Sequence, residues 1–148
     1  MDKLLNRYFV NKYFLPDLQV KLSSLLNKFA TSSIDISDGL LTDLDKLINK
    51  QKLSYKLYLK EVPVSSNFSK LVKKKKITKI NSVSGGDDYQ ILFTATPIKS
   101  RIIIKIGKTL GIKISKIGKI CSGSQKSQII NEKNEKIPFK YKGYLHKF

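Results

Sequence analysis

The chain of 148 residues has one cysteine, Cys121, and one histidine, His146. That excludes an internal disulfide and leaves a structural zinc without the thiolate and imidazole ligands it draws on. Cys121 reads as a small buried or half-buried hydrophobe. Long apolar runs are missing too: the opening "MDKLLNRYFVNKYFL" has neither such a run nor a small-residue cleavage site, so it reads as neither signal peptide nor membrane span. A cytoplasmic protein with no membrane partner is expected. Acidic side chains are scarce, 11 Asp and Glu against 29 Lys and Arg, for a net charge of +18. Such a charge invites a nucleic-acid reading, because clustered cations gain from counterion release on phosphate. Here, however, the lysines are scattered among Ile and Asn with very few Arg, and the one dense run, Lys73 to Lys76, reads as a solvated turn. No nucleic-acid partner is expected, while the charge favours small anionic substrates.

What remains is a chain long enough for one domain and, at 41% hydrophobic residues, able to bury a core. Leu18, Leu22, Leu25, Leu26 and Phe29 recur at helical spacing after Pro16 and predict an amphipathic helix. "SSIDIS" alternates, predicting a strand with Ile34 and Ile36 on one face and Asp35 and Ser37 on the other. From Asp38 the period changes, and Leu40, Leu41, Leu44, Leu47 and Ile48 form a helical stripe after a tight turn at Gly39. Further strands are expected at "LSYKLYLKEV" and "DYQILFTAT", and "SNFSKLVKKKK" reads as a weak helix or loop. A helix runs between Pro97 and Gly111, and "IKISKIGKI" with "SQIINE" predicts a late strand pair. Strands alternating with helices give the fold class: α/β, a layered domain with a β-sheet covered by helices.

The few acids are concentrated. Asp35, Asp38, Asp43 and Asp45 fall in "SSIDISDGLLTDLDKL", and Asp87 with Asp88 in "SGGDDYQILF". Asp35, Ser37 and Asp38 converge on the corner where strand turns into helix. Mg²⁺ takes hard oxygen ligands and needs only one or two carboxylates when phosphates and water complete its shell. The competing reading is that Ser37 or Asp38 caps the helix and complements its dipole. Capping leaves Asp35 unexplained, since Asp is disfavoured in strands. Asp43 and Asp45 read as solvated positions away from the apolar stripe. "SGGDDY" is either an exposed turn or a loop whose glycines let a ligand approach the backbone while an aspartate grips it. "GKT" at Gly107 to Thr109 lacks the earlier glycine of a phosphate-binding loop, Ile102 standing there, and reads as mid-helix.

In this order, "ATSSIDISDGLLTDL", "SGGDDYQILFTA", "IGKI" and the terminal "KGYLHKF" resemble the second half of thiamine-monophosphate kinase, from about Tyr8 to Phe148. The resemblance implies a fold with a mixed sheet like that of the C-terminal domain of aminoimidazole ribonucleotide synthetase. Residues 1–17 would be a lead-in and 18–148 the domain. It implies ATP-dependent phosphorylation of thiamine monophosphate to thiamine diphosphate with several Mg²⁺ ions. Asp35 and Asp38 would be magnesium ligands, Ser37 a contact to ATP, and Asp87 and Tyr144 contacts to the thiamine substrate. Phosphoryl transfer asks for positioning and charge neutralisation more than for a strong base.

The sequence departs from the family at several points. Asp87 and Gln90 stand where the family has glutamates, Leu145 replaces an acid, Lys147 intervenes before Phe148, and a proline-rich stretch is reduced to Pro16. Nothing here resembles the family's N-terminal domain, which supplies most of the metal-binding aspartates and much of the nucleotide site. A separately encoded N-terminal domain or a homo-oligomer is therefore an expected partner, and the alternative is a non-catalytic remnant or interaction module. A surface built to pack on such a partner would leave apolar side chains of the lead-in and first helix exposed.

Overall fold

The computed structural model describes residues 3–48, 52–74, 77–123 and 125–138. Two sheets organise it. Strand β1 (Ser32–Asp35) pairs antiparallel with β3 (Ile91–Thr94), setting Ser32 opposite Thr94 and Asp35 opposite Ile91. The second sheet has four strands in the order β4-β2-β5-β6, formed by β4 (Gly118–Ser122), β2 (Leu53–Tyr58), β5 (Gln128–Ile130) and β6 (Lys136–Ile137). Strand β2 runs antiparallel to β4 and parallel to β5, so the sheet is mixed. Helix α3 (Leu40–Ile48) sends Leu40, Leu41 and Leu44 into a core shared with Tyr55, Leu57 and Ile129 of the larger sheet and Leu92 of β3. The layered α/β architecture is as expected.

Local signals explain most elements. Helix α4 (Ser66–Lys73) is capped by Ser65, whose hydroxyl accepts the Phe68 N–H at 3.1 Å, which raises "SNFSKLVKKKK" from weak helix or loop to a formed helix. A single turn, α5 (Lys79–Ser82), leads to the Gly-Gly loop. Helix α6 (Ser100–Leu110) follows Pro97, closes at Gly111 and carries the "GKT" triplet within it.

Two expectations fail. The helix over Leu18 to Phe29 breaks into α2 (Val20–Ser23) and a 3-10 turn at Leu26–Lys28. The hydroxyls of Ser23 and Ser24 bond back to the carbonyls of Val20 and Lys21 at 2.8 and 3.1 Å, a local competition with helix continuation. Only Leu22 and Phe29 of the stripe are buried, Phe29 edge-to-face on Phe93. The late strands β4 and β5 do not pair with each other; β2 lies between them. Periodicity sets which residues form strands but not which strand comes between two others.

Helix α1 (Lys3–Phe14) buries none of its residues. Leu4, Tyr13, Phe14, Leu15 and Leu18 are each more than half exposed, as the lead-in was expected to be. Among the described residues no helix is long and apolar enough to cross a membrane. Tyr144, His146 and the rest of "KGYLHKF" lie outside the described residues.

Candidate functional site

The two acidic motifs meet backbone to backbone. Beyond the β1–β3 ladder, Ile36 N–H donates to the Gln90 carbonyl at 2.8 Å and Tyr89 N–H to the Ile36 carbonyl at 2.8 Å. Two residues thus oppose one, a bulge of the type that usually has glycine first, with Tyr89 at φ 50° in that place. Asp87, at φ 65°, donates its N–H to the Ser37 carbonyl at 2.9 Å. Left-handed backbone at a tyrosine costs roughly 1 kcal/mol or more, and such strain concentrates at functional sites. The Tyr89 hydroxyl donates to Asp87 Oδ1 at 3.2 Å, which holds the tyrosine proton and raises its pKa.

The glycines serve this contact. A Cβ on Gly86 would lie 2.3 Å from the Ser37 carbonyl oxygen, and one on Gly39, at φ 110°, 2.7 Å from that of Gly85. The space beside Gly86 therefore belongs to the facing loop of the same chain. Asp87 and Asp88 line an open groove that also touches Lys12, Tyr13 and Asp17. Asp35, Ser37 and Asp38 do not line it.

Asp35 is exposed at the end of β1, Ser37 is half-buried, and the Asp38 side chain is 19% exposed and paired with the Lys46 ammonium. The Asp38 N–H, at the helix entry, is held by a carboxylate not expected there. Asp43, expected at a solvated position, is instead 0% exposed. Its Oδ2 accepts the N–H groups of both Ser37 and Asp38 at 3.0 Å each, and its Oδ1 accepts Lys46 Nζ at 3.0 Å. Hydrogen bonds to a charged group contribute roughly 1.5–3 kcal/mol each, enough to keep this carboxylate buried. Lys46 in turn has its pKa raised, first by its bond to Asp38 and then by that to Asp43. The signal was present in the spacing: Asp43 stands three residues after Leu40 and four before Leu47, on the core face. Asp45, one residue on, is only partly buried.

Partial desolvation, followed by the neighbouring Asp87 charge, raises the pKa of Asp88, and because the residue keeps an exposed surface the effect on stability is small. A carboxyl whose folded value lies above its unfolded one makes the folded protein bind more protons between the two, so stability falls as pH rises through that window. Asp88→Asn is expected to flatten this loss. Urea midpoints at about pH 4 and about pH 7 check it, and a wild-type-like slope in the variant would show that Asp88 is not the group responsible.

No family model matches the chain. It is 31% identical over 119 residues to thiamine-monophosphate kinase of Nitrosopumilus maritimus, spanning 80% of this chain and 36% of that protein. To the Escherichia coli K12 enzyme of the same name it is 26% identical over 140 residues, 94% of this chain and 42% of the relative. The crystal structure of thiamine-monophosphate kinase from Stenotrophomonas maltophilia superposes with a TM-score of 0.76 at 24% identity, covering 87% of this chain and 40% of that one. AaThiL complexed with AMPPCP and TMP gives 0.76 at 20% identity, covering 99% and 43%. The chain thus spans about two fifths of the relatives it matches, and it shares its fold with these two solved structures.

Proposed function

We propose, from the premise that this chain is related in sequence and fold to the thiamine-monophosphate kinases, that it forms the C-terminal part of such a kinase. Residues 18–148 are the domain and 1–17 its lead-in. In this reading the domain serves ATP-dependent phosphorylation of thiamine monophosphate to thiamine diphosphate in the cytoplasm, together with an N-terminal domain. The observation that carries it is the junction of the two motifs, where the Ser37 carbonyl takes the Asp87 N–H at 2.9 Å and brings the nucleotide and acceptor loops together. The exposed apolar side chains of α1 and Leu18 support a surface made for a second domain or subunit.

Asp35 and Asp38 would hold Mg²⁺, and Ser37 would contact ATP. Asp38 offers hard carboxylate oxygens of the kind Mg²⁺ takes, and a metal there would displace the Lys46 ammonium that rests against it. Among the described residues no group of three Asp, Glu, His or Cys side chains converges on one point, so phosphate oxygens and water would complete the shell. The metal, when bound, neutralises phosphate charge. Asp87, turned outward and hydrogen-bonded by Tyr89, would contact the thiamine substrate, as would Tyr144. The same sparse ligand set favours a second reading, a non-catalytic member of the family.

The test uses the chain reconstituted with a family N-terminal domain. Asp38→Asn should weaken Mg²⁺-dependent nucleotide binding about tenfold or more, because Asn keeps the size of the side chain but not the charge. Asp87→Asn should weaken thiamine monophosphate and leave nucleotide affinity intact. Unchanged affinities in both variants would mean that the two acidic clusters are structural.

A further inference from the structure

We propose that Asp43 is the positioning residue of this site: its buried carboxylate sets Asp38 directly and sets the Asp87 loop through the Ser37–Asp38 peptide. The inference rests on the reading of Asp38 as a metal ligand and extends it to a residue that touches neither metal nor substrate.

Three contacts fill the carboxylate. Oδ2 holds the Ser37 and Asp38 N–H groups, and Oδ1 holds Lys46, whose ammonium also reaches the Asp38 carboxylate. Asp38 is therefore fixed at two points, its peptide N–H and its side chain, and both lead back to Asp43. The Ser37–Asp38 peptide carries the effect across. Its N–H, that of Asp38, is on Asp43 at 3.0 Å, its carbonyl, that of Ser37, accepts Asp87 N–H at 2.9 Å, and that carbonyl leaves no room for a Cβ on Gly86. Because the two ends of this planar unit turn together, rotating it must move the Asp87 loop. Helix α3 supplies the rigid base, because Leu40, Leu41 and Leu44 on either side of Asp43 are core residues. A buried acid used only for stability could satisfy any nearby donors; this one satisfies the two peptides between the proposed metal ligands' strand and helix.

Amide hydrogen exchange and Mn²⁺ line broadening on the ¹⁵N-labelled full chain test the proposal. In the unmodified protein the Ser37 and Asp38 amides should be protected at least tenfold, and free exchange there overturns it without any variant. In Asp43→Asn, Asp87 N–H exchange should accelerate tenfold or more while Leu57 and Ile129, in the other sheet, stay within twofold. Uniform acceleration would instead mean a merely structural carboxylate and would overturn the proposal. Mn²⁺ provides the second arm. Saturable broadening around residues 35–38 should vanish in Asp38→Asn, weaken about tenfold in Asp43→Asn, and persist in Asp45→Asn, which removes the same charge from the same helix. Loss in Asp38→Asn with unchanged broadening in Asp43→Asn overturns the positioning role alone. If the unmodified chain shows no saturable broadening but Asp87 exchange still responds to Asp43→Asn, the coupling of the loops stands and the metal reading falls.

Discussion

Gly86→Ala is expected to separate the two acidic loops and to destabilise the domain by about 3 kcal/mol or more, at the upper end of overpacking costs. The added Cβ would sit 2.3 Å from the Ser37 carbonyl oxygen, and neither neighbour is a flexible side-chain tip. Backbone must move on one side or the other. If the Gly-Gly loop moves, the bond from Asp87 N–H to Ser37 and the bulge at Tyr89 are lost; if the Ser37–Asp38 peptide moves, its Asp38 N–H leaves the Asp43 carboxylate. For a domain whose whole stability is about 5–15 kcal/mol, either route is a large fraction. Gly118→Ala is the matched control. Its Cβ would lie 2.3 Å from the Lys56 carbonyl oxygen, inside the β2–β4 pairing and away from both motifs. Both variants should lower the urea midpoint, but only Gly86→Ala should shift the amide resonances of Ser37 and Asp38. A Gly86→Ala midpoint matching the unaltered chain would mean that the loops are not held in contact.

These contacts bear on what the sequence could reveal. Alternation made β1 legible, as Pro97 and Gly111 did for α6, because those signals act within one element. The junction of "SDG" with "SGGDD" was not legible: nothing local says that Gly86 faces a carbonyl nearly fifty residues earlier, and the glycines were open to a ligand-approach reading instead. At Asp43 residue type and position point in opposite directions, the charge toward solvent and the helical spacing toward the core. An aspartate three residues from one core leucine and four from another lies on the buried face, and its charge then needs partners such as the Ser37 and Asp38 amides and Lys46. The broken helix after Pro16 turned on serine hydroxyls competing for backbone carbonyls, which a hydrophobic stripe does not register.

The isolated 148-residue chain, given ATP, Mg²⁺ and thiamine monophosphate, is expected to form no measurable thiamine diphosphate. Phosphoryl transfer depends on holding donor and acceptor in line and on neutralising charge over the transferred group, and single charge-stabilising contacts in such enzymes are worth about 10³–10⁵ in rate. Here Asp35 and Asp38 are the only metal ligands proposed, one of them held by Lys46, and no threefold cluster of possible ligands occurs among the described residues. Two carboxylates do not position a triphosphate, several cations and an acceptor phosphate together. Adding a family N-terminal domain in trans should restore turnover if this domain is a working half, and Asp38→Asn should abolish the restored activity. Restoration that fails despite physical association would favour the non-catalytic reading. Turnover by the chain alone, measured as thiamine diphosphate formed per ATP consumed and lost in Asp38→Asn, would show that these residues suffice and that the partner is unnecessary.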